Sequence, residues 1–187
     1  LEKSGKRDNT IVIFTSDHGF HLGEHDFWAK VSLRDESAKV PLIISVPGKK
    51  PSVCDSFVEL LDLYPTLSSL CGLPKQNRLQ GKDISPMLDD PSYEVREEAF
   101  CVAPMRTGFL LRNKKWAFIQ YGEKLPTKLK GGFEHGRNGI ELFNMEQDPQ
   151  QFTNLADTLE YKPVVQSFRK KLQDKLIAIR DCDLKSK

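Results

Sequence analysis

Three of the chain's four histidines, three carboxylates and a lysine fall in one short run, Thr15-Ser16-Asp17-His18-Gly19-Phe20-His21-Leu22-Gly23-Glu24-His25-Asp26-Phe27-Trp28-Ala29-Lys30. Asp17 and His18 are adjacent, and a carboxylate beside an imidazole supplies two donors for a divalent cation. Two donors do not complete a metal sphere, and a satisfied polar cluster at a strand end accounts for the same pair. His21-Leu22-Gly23-Glu24-His25 also matches H-x-x-E-H, the inverted zinc-protease pattern, which requires both histidines on one face of a continuous helix. Gly23 lies inside the would-be turn, Gly19 precedes it and no helical apolar period surrounds it, so the pattern lacks its structural context.

The elements that must position this run are two apolar segments. Ile11 to Thr15 precedes it and Val40 to Val46 follows, the latter stopping at Pro47-Gly48. Continuous β-branched runs of this kind are typical of strands buried on both faces, as in parallel sheets covered by helices. Asp17 and His18 then stand at the carboxyl end of a strand, where open α/β sheets place ligands. The connection from Ser16 to Lys39 is long for a compact domain, which is where chemistry tends to sit. Gly19 would let the chain turn beyond the pair.

Further along, Phe57 to Leu61 suggests a short strand. Asp62, Pro65 and the leucines up to Gly72 suggest a capped helix with its stop signal. Residues 74–98 read as a surface excursion. Phe100 to Ala103, Gly108 to Arg112 and Lys115 to Tyr121 read as strands, with Asn113-Lys114 as a hairpin turn. A basic loop carrying Lys124, Lys128, Lys130, His135 and Arg137 leads to another strand, Ile140 to Asn144. Val165, Phe168, Leu172, Leu176 and Ile179 form the apolar stripe of a helix over Pro163 to Arg180. The pattern predicts an α/β portion over residues 1–98, built as a sheet covered by helices, followed over 99–187 by a small antiparallel α+β subdomain with a C-terminal helix.

Composition bounds what this chain can be. Its 187 residues, 39% hydrophobic and 29% charged, permit an ordinary folded core, and the net charge of +2 gives no reason to expect a nucleic-acid partner. No apolar run approaches the ~18 residues of a membrane span. Cys54, Cys71, Cys101 and Cys182 form no C-x-x-C pair, which leaves structural thiols or disulfides open. The first residue is Leu and a strand signal follows almost at once, so the chain is expected to open partway through a longer protein.

The ordered motifs carry a resemblance that composition does not. Thr15-Ser16-Asp17-His18-Gly19, Leu22-Gly23-Glu24-His25, Trp28-Ala29-Lys30, Val40-Pro41-Leu42-Ile43 and Pro47-Gly48 closely resemble the second metal-binding segment of the sulfatase family, part of the alkaline phosphatase superfamily. The Asp-His form with Trp-Ala-Lys looks most like the iduronate-2-sulfatase branch. Val58 to Leu67, Gly81 to Pro86, and Glu141-Leu142-Phe143-Asn144 with Asp148-Pro149 and Thr153 to Ala156 extend the match over residues 8–160.

The resemblance implies that Asp17 and His18 are metal ligands. Calcium is the family's usual ion, with manganese or another divalent ion left open by the imidazole. It implies that Lys30 contacts the sulfate, neutralising charge that grows as the ester bond breaks. His25 would be a proton relay or substrate contact, or a histidine that fixes the loop. Phe20 and His21 would line the pocket mouth, His135 and Arg137 would meet an anionic sugar, and Trp28 would anchor Lys30 by packing. The implied partner is a sulfated small molecule or glycan, and the implied compartment is an exported one: periplasmic, secreted or lysosomal.

Sulfatases attack with a formylglycine made from Cys or Ser in a C/S-x-P-x-R setting, and none of the four cysteines has it: Cys54 precedes Asp55-Ser56 and Cys71 precedes Gly72-Leu73-Pro74. The expectation is therefore the C-terminal portion of a sulfatase, inactive alone, with the nucleophile and the rest of the metal sphere in an N-terminal portion that would be its partner. Two alternatives stand beside it: a phosphonate or phosphate diester hydrolase of the same superfamily, and a noncatalytic binding or structural module derived from the fold.

Overall fold

The computed structural model describes residues 1–103, 108–121 and 139–185, with side chains up to residue 179. The chain divides into two units, Leu1–His18 with Lys39–Glu97, and Gly19–Ala38 with Glu98–Lys187. The polar connection from Gly19 thus belongs with the second unit, while the two apolar runs that flank it belong to the first.

In the first unit, β1 (Val12–Thr15) pairs with β2 (Leu42–Ser45). The pairing is antiparallel, Phe14 opposite Ile43. This departs from the parallel arrangement that the apolar runs suggest. Within this unit the two strands form a sheet of their own, and Val12, Phe14 and Ile43 on one face are exposed.

Residues Phe57 to Leu61 form no strand; a single turn over Leu60–Asp62 leads into α2 (Leu63–Leu70), α1 (Asp35–Ala38) being the short helix of the second unit. Pro65 lies in the first turn of α2, where a missing N–H costs no hydrogen bond. Gly72, at φ +65°, ends the helix in the left-handed region open to glycine.

The start of α2 is tied by a buried carboxylate. Asp62 accepts hydrogen bonds from the backbone N–H of Glu59 (2.8 Å) and Lys82 (2.7 Å) and from Nη2 of Arg96 (2.8 Å), and it pairs with Nη1 of the same guanidinium. Thr66 Oγ1 donates to the Asp62 carbonyl and accepts from the Ile84 N–H, joining the helix to the Gly81–Pro86 motif. Burial alone would raise the Asp62 carboxyl, but the donors around it outweigh that and hold it below the ordinary carboxylate range.

The second unit is an antiparallel meander in the order β3 (Ala99–Val102), β4 (Gly108–Arg112), β5 (Trp116–Tyr121), β6 (Ile140–Asn144). The β4–β5 turn forms as the sequence suggests, with Asn113 Oδ1 accepting from the N–H groups of Lys115 and Trp116.

Side chains alternate across this sheet with the period of two that strands impose, and both faces are covered. Leu111, Phe118, Ile140 and Leu142 meet Val165, Phe168 and Leu172 of α3 (Lys162–Lys185). Leu110, Ala117, Ile119 and Phe143 meet Leu33 of the connecting segment. The predicted helix and its stripe are therefore present, and the long connection serves as the cover for the opposite face.

Candidate functional site

Asp17 and His18 follow directly after β1. Ser16 Oγ donates to the His18 carbonyl at 2.7 Å, and the His18 N–H donates to Asp17 Oδ1 at 3.1 Å, so backbone and carboxylate are fixed by local bonds. Asp17 Oδ2 lies 3.7 Å from His18 Nε2, and the Asp17 side chain is 85% exposed. An oxygen and a nitrogen at that separation, facing outward, can both touch one cation at ordinary donor distances of roughly 2–2.6 Å. The pair fits as part of a metal's donor set. Among the described residues, no group of three or more His, Cys, Asp or Glu side chains has the arrangement of a metal site.

Lys30 lies in the second unit with its side chain exposed. Its backbone is held closely. The Ser32 N–H donates to the Lys30 carbonyl at 3.0 Å, the Arg34 N–H donates to Ser32 Oγ at 3.0 Å, and the His21 N–H donates to the neighbouring Ala29 carbonyl at 2.9 Å. Trp28 is 71% exposed and lies over Gly23, so it does not act as the buried packing anchor that the sequence suggests; Leu33 fills that role, 1% exposed in the core.

Gly19 also has a different task from the one expected. Its N–H donates to the Ser37 carbonyl at 2.9 Å, and a Cβ there would stand 1.9 Å from the Glu36 carbonyl oxygen. The residue is needed for close backbone approach.

His21 and His25 are not on a common helix. A single turn covers Glu24–Asp26, and His25 within it has φ +58°, which removes the structural context of the H-x-x-E-H pattern. The His21 ring is fully buried, edge-on to Phe27 with centroids 5.2 Å apart. Burial pushes its pKa down, against an opposing pull from the Glu36 charge. Phe20, beside it, is about half exposed at 49%. His135 and Arg137 lie outside the described residues.

A further side chain of this segment, which no sequence motif singles out, is Arg34. It is 6% exposed. Its Nη1 donates to His25 Nδ1 at 2.6 Å and to the Gln151 carbonyl at 2.9 Å, its Nη2 pairs with Glu141 Oε1 at 3.3 Å, and its guanidinium lies 5.0 Å from the Phe143 ring centre. A guanidinium only donates, so His25 Nδ1 accepts and the ring proton sits on Nε2, which is 3.4 Å from Glu36 Oε1.

Gln151, fully buried at φ +60°, accepts the Asp35 N–H on its Oε1 at 2.7 Å, and Asp35 in turn pairs with Arg112 at 3.3 Å. One signal for this cluster was present in the sequence. Glu141 interrupts an otherwise apolar strand, and an acid inside a buried strand requires a cation beside it.

Comparison with known proteins adds the following. The family model "N-sulphoglucosamine sulphohydrolase, C-terminal" matches residues 23–178. Arylsulfatase K of Danio rerio is 31% identical over 183 residues, covering 92% of this chain and 32% of that protein. The chain thus spans about a third of the length of the curated relatives it matches. Among solved structures, BT4656, described in complex with its substrate D-glucosamine-2-N,6-O-disulfate, superposes with a TM-score of 0.81 at 24% identity, covering 97% of this chain and 37% of that one. The phosphonate monoester hydrolase SpPMH from Silicibacter pomeroyi superposes with a TM-score of 0.78 at 23% identity, covering 95% and 37%. At these identities the two structures establish a shared fold.

Proposed function

The chain belongs to the sulfatase family, and from that premise we propose that it is the C-terminal portion of an enzyme that hydrolyses sulfate esters of sulfated sugars. The observation that carries the reading is the family match over residues 23–178, which takes in both Lys30 and the Glu141 strand. The disulfated glucosamine described as the substrate of BT4656 supports a sulfated sugar as the ligand class. We further propose that the nucleophile, a formylglycine, lies outside this chain, in an N-terminal portion that is its partner, and that the complete protein is exported. No helix among the described residues is long and apolar enough to cross a membrane.

Within this reading, Asp17 and His18 would hold a divalent ion, calcium by family habit. When bound, that ion supplies positive charge toward the sulfate oxygens. Lys30 presents an ammonium to the sulfate, and its fixed backbone means that little reorganisation is needed as negative charge grows on the oxygens. Phe20, half exposed beside the buried His21, offers an apolar surface to a sugar ring. His21 and His25 act on the site from within the segment, as groups that hold its loop, and His135 and Arg137 would meet an anionic sugar.

The test is a side-by-side assay of an aryl sulfate and a phosphate diester on the complete protein. Sulfate turnover is expected to dominate and to fall by about 10²–10³ in Lys30→Ala, the usual cost of removing one charge-stabilising donor. Faster diester turnover would replace this reading with the phosphonate or phosphate diester alternative, and turnover of neither would favour a noncatalytic module.

A further inference from the structure

The segment that carries Lys30 has few means of its own to hold a shape. Gly19–Ala38 contains one four-residue helix, one single turn and three residues with positive φ, Gly23, His25 and Asp26. Leu33 and Ala38 pack it against the sheet, and its polar ties come from two adjacent residues: Asp35, which pairs with Arg112 of β4 and bonds Gln151 through its N–H, and Arg34, whose guanidinium makes the larger set.

Arg34 reaches three chain regions at once. Glu141 lies on β6, Gln151 lies in the turn beyond it, and His25 lies back within the segment. Glu141 shares a sheet face with Phe143, over which the guanidinium stacks, because alternate residues of a strand point the same way. From Arg34 the chain of bonds runs through its own N–H to Ser32 Oγ, and through the Ser32 N–H to the Lys30 carbonyl. A planar guanidinium can serve a carboxylate, a carbonyl and an imidazole together; an ammonium lacks that fork.

We propose that Arg34 is the positioning residue for Lys30: a buried clamp, locked by Glu141, that sets where the sulfate-contacting ammonium stands. The proposal rests on the sulfatase reading for what Lys30 does, but the clamp itself is a claim about this chain's own residues. It separates two tasks usually merged in a buried ion pair. Charge compensation between Arg34 and Glu141 maintains stability, whereas the links to His25 and Gln151 maintain geometry.

The two tasks come apart in a set of variants of the complete protein: Arg34→Met, Arg34→Lys, Glu141→Leu and the double Arg34→Met/Glu141→Leu. Arg34→Met and Glu141→Leu each leave a buried charge without its partner, and the double leaves none, so the melting temperature should fall in those two and recover in the double. Aryl sulfate kcat should fall about 10²-fold in Arg34→Met, the scale of a catalytic group displaced by about an ångström, with KM changed only a few-fold. It should stay low in the double and in Arg34→Lys.

Hydrogen exchange at the Gly19, His21 and Gly23 amides, all bonded within the segment, should speed up in Arg34→Met and remain fast in the double. Recovery of both turnover and slow exchange in the double would overturn the proposal, as would unchanged exchange in Arg34→Met. If the parent protein hydrolyses no aryl sulfate, the sulfatase reading falls, and the exchange measurements, made without substrate, still decide the clamp.

Discussion

Each unit of this protein buries an arginine against a carboxylate, and the two pairs are built differently. In the first, Arg96 and Asp62 are 34 positions apart, and the carboxylate is surrounded by donors: two backbone N–H groups and both arms of the guanidinium, with Glu59 3.5 Å from Arg96 Nε. In the second, Arg34 and Glu141 are 107 positions apart, and the cation is the hub, sharing its donors among a carboxylate, a carbonyl and an imidazole. The first arrangement knots a helix start to a nearby loop. The second fastens a segment of little regular structure, and that segment carries Lys30. The residue at the centre of a buried cluster thus indicates what the cluster is for: a surrounded anion closes a local knot, and a distributed cation holds a distant segment to a sheet.

The largest effect is expected from breaking the local knot. In Asp62→Ala, Arg96 stays buried beside Glu59 and the Phe57 carbonyl without its closest anion, and the Glu59 and Lys82 N–H groups lose their acceptor. Removing one partner of a buried ion pair costs about 3–5 kcal/mol. Chemical denaturation of the variant against the parent measures this loss. A change below about 1 kcal/mol would mean that water or Glu59 replaces the carboxylate, and the two clusters would then differ less than their geometry indicates.

A smaller effect is expected at the start of the clamped segment. Gly19→Ala places a Cβ 1.9 Å from the Glu36 carbonyl oxygen, a contact that only backbone movement relieves. Overpacking of this kind costs about 1–3 kcal/mol. The Gly19 N–H to Ser37 bond should lengthen with it, seen as faster amide exchange at Gly19. An unperturbed variant would show that the segment tolerates displacement where it begins.

What the sequence made legible divides along the same line. The antiparallel sheet of the second unit could be read because its signals are local: the Asn113 turn, the strand lengths and the stripe on α3 at helical spacing. Asp17 and His18 are candidates from their place directly after an apolar strand and Lys30 from the motif around it, and their roles are proposals. Neither direction nor cover was legible for β1 and β2: the apolar runs suggest strands buried on both faces of a parallel sheet, whereas the pair is antiparallel with Val12, Phe14 and Ile43 exposed, because an apolar run carries no mark of its partner's orientation. The Arg34 cluster was not legible either. Its members, Arg34, Glu141 and Gln151, are brought together by tertiary folding alone, and Gln151 is buried at a backbone conformation that its residue type does not advertise. Glu141, an acid inside an apolar strand, is the one local sign that a cation must lie beside it, and it does not say which one.

The smallest effect is a pH dependence that separates the two clusters. Asp62 has a folded-state pKa below its ordinary value of 3.8, so its contribution is present at higher pH and is lost only as acid carries the solution below that value. His21 is also depressed, from an ordinary 6.5, chiefly by burial. In the unfolded chain it takes up a proton below about 6.5, while in the folded chain it does so only at lower pH; the unfolded state therefore binds more protons in that window, and stability falls as pH falls through it. One proton limits the slope to about 1.4 kcal/mol per pH unit. Both tryptophans, Trp28 and Trp116, belong to the second unit, so their fluorescence in urea titrations reports on the unit that holds His21. Lowering the pH from 7 to 5 should shift the fluorescence midpoint to lower urea in the parent, and His21→Phe, which keeps an aromatic ring beside Phe27, should flatten that shift. If the slope persists in His21→Phe, another group in the segment takes up the proton, and the buried His21 ring is not what makes the clamped segment acid-sensitive.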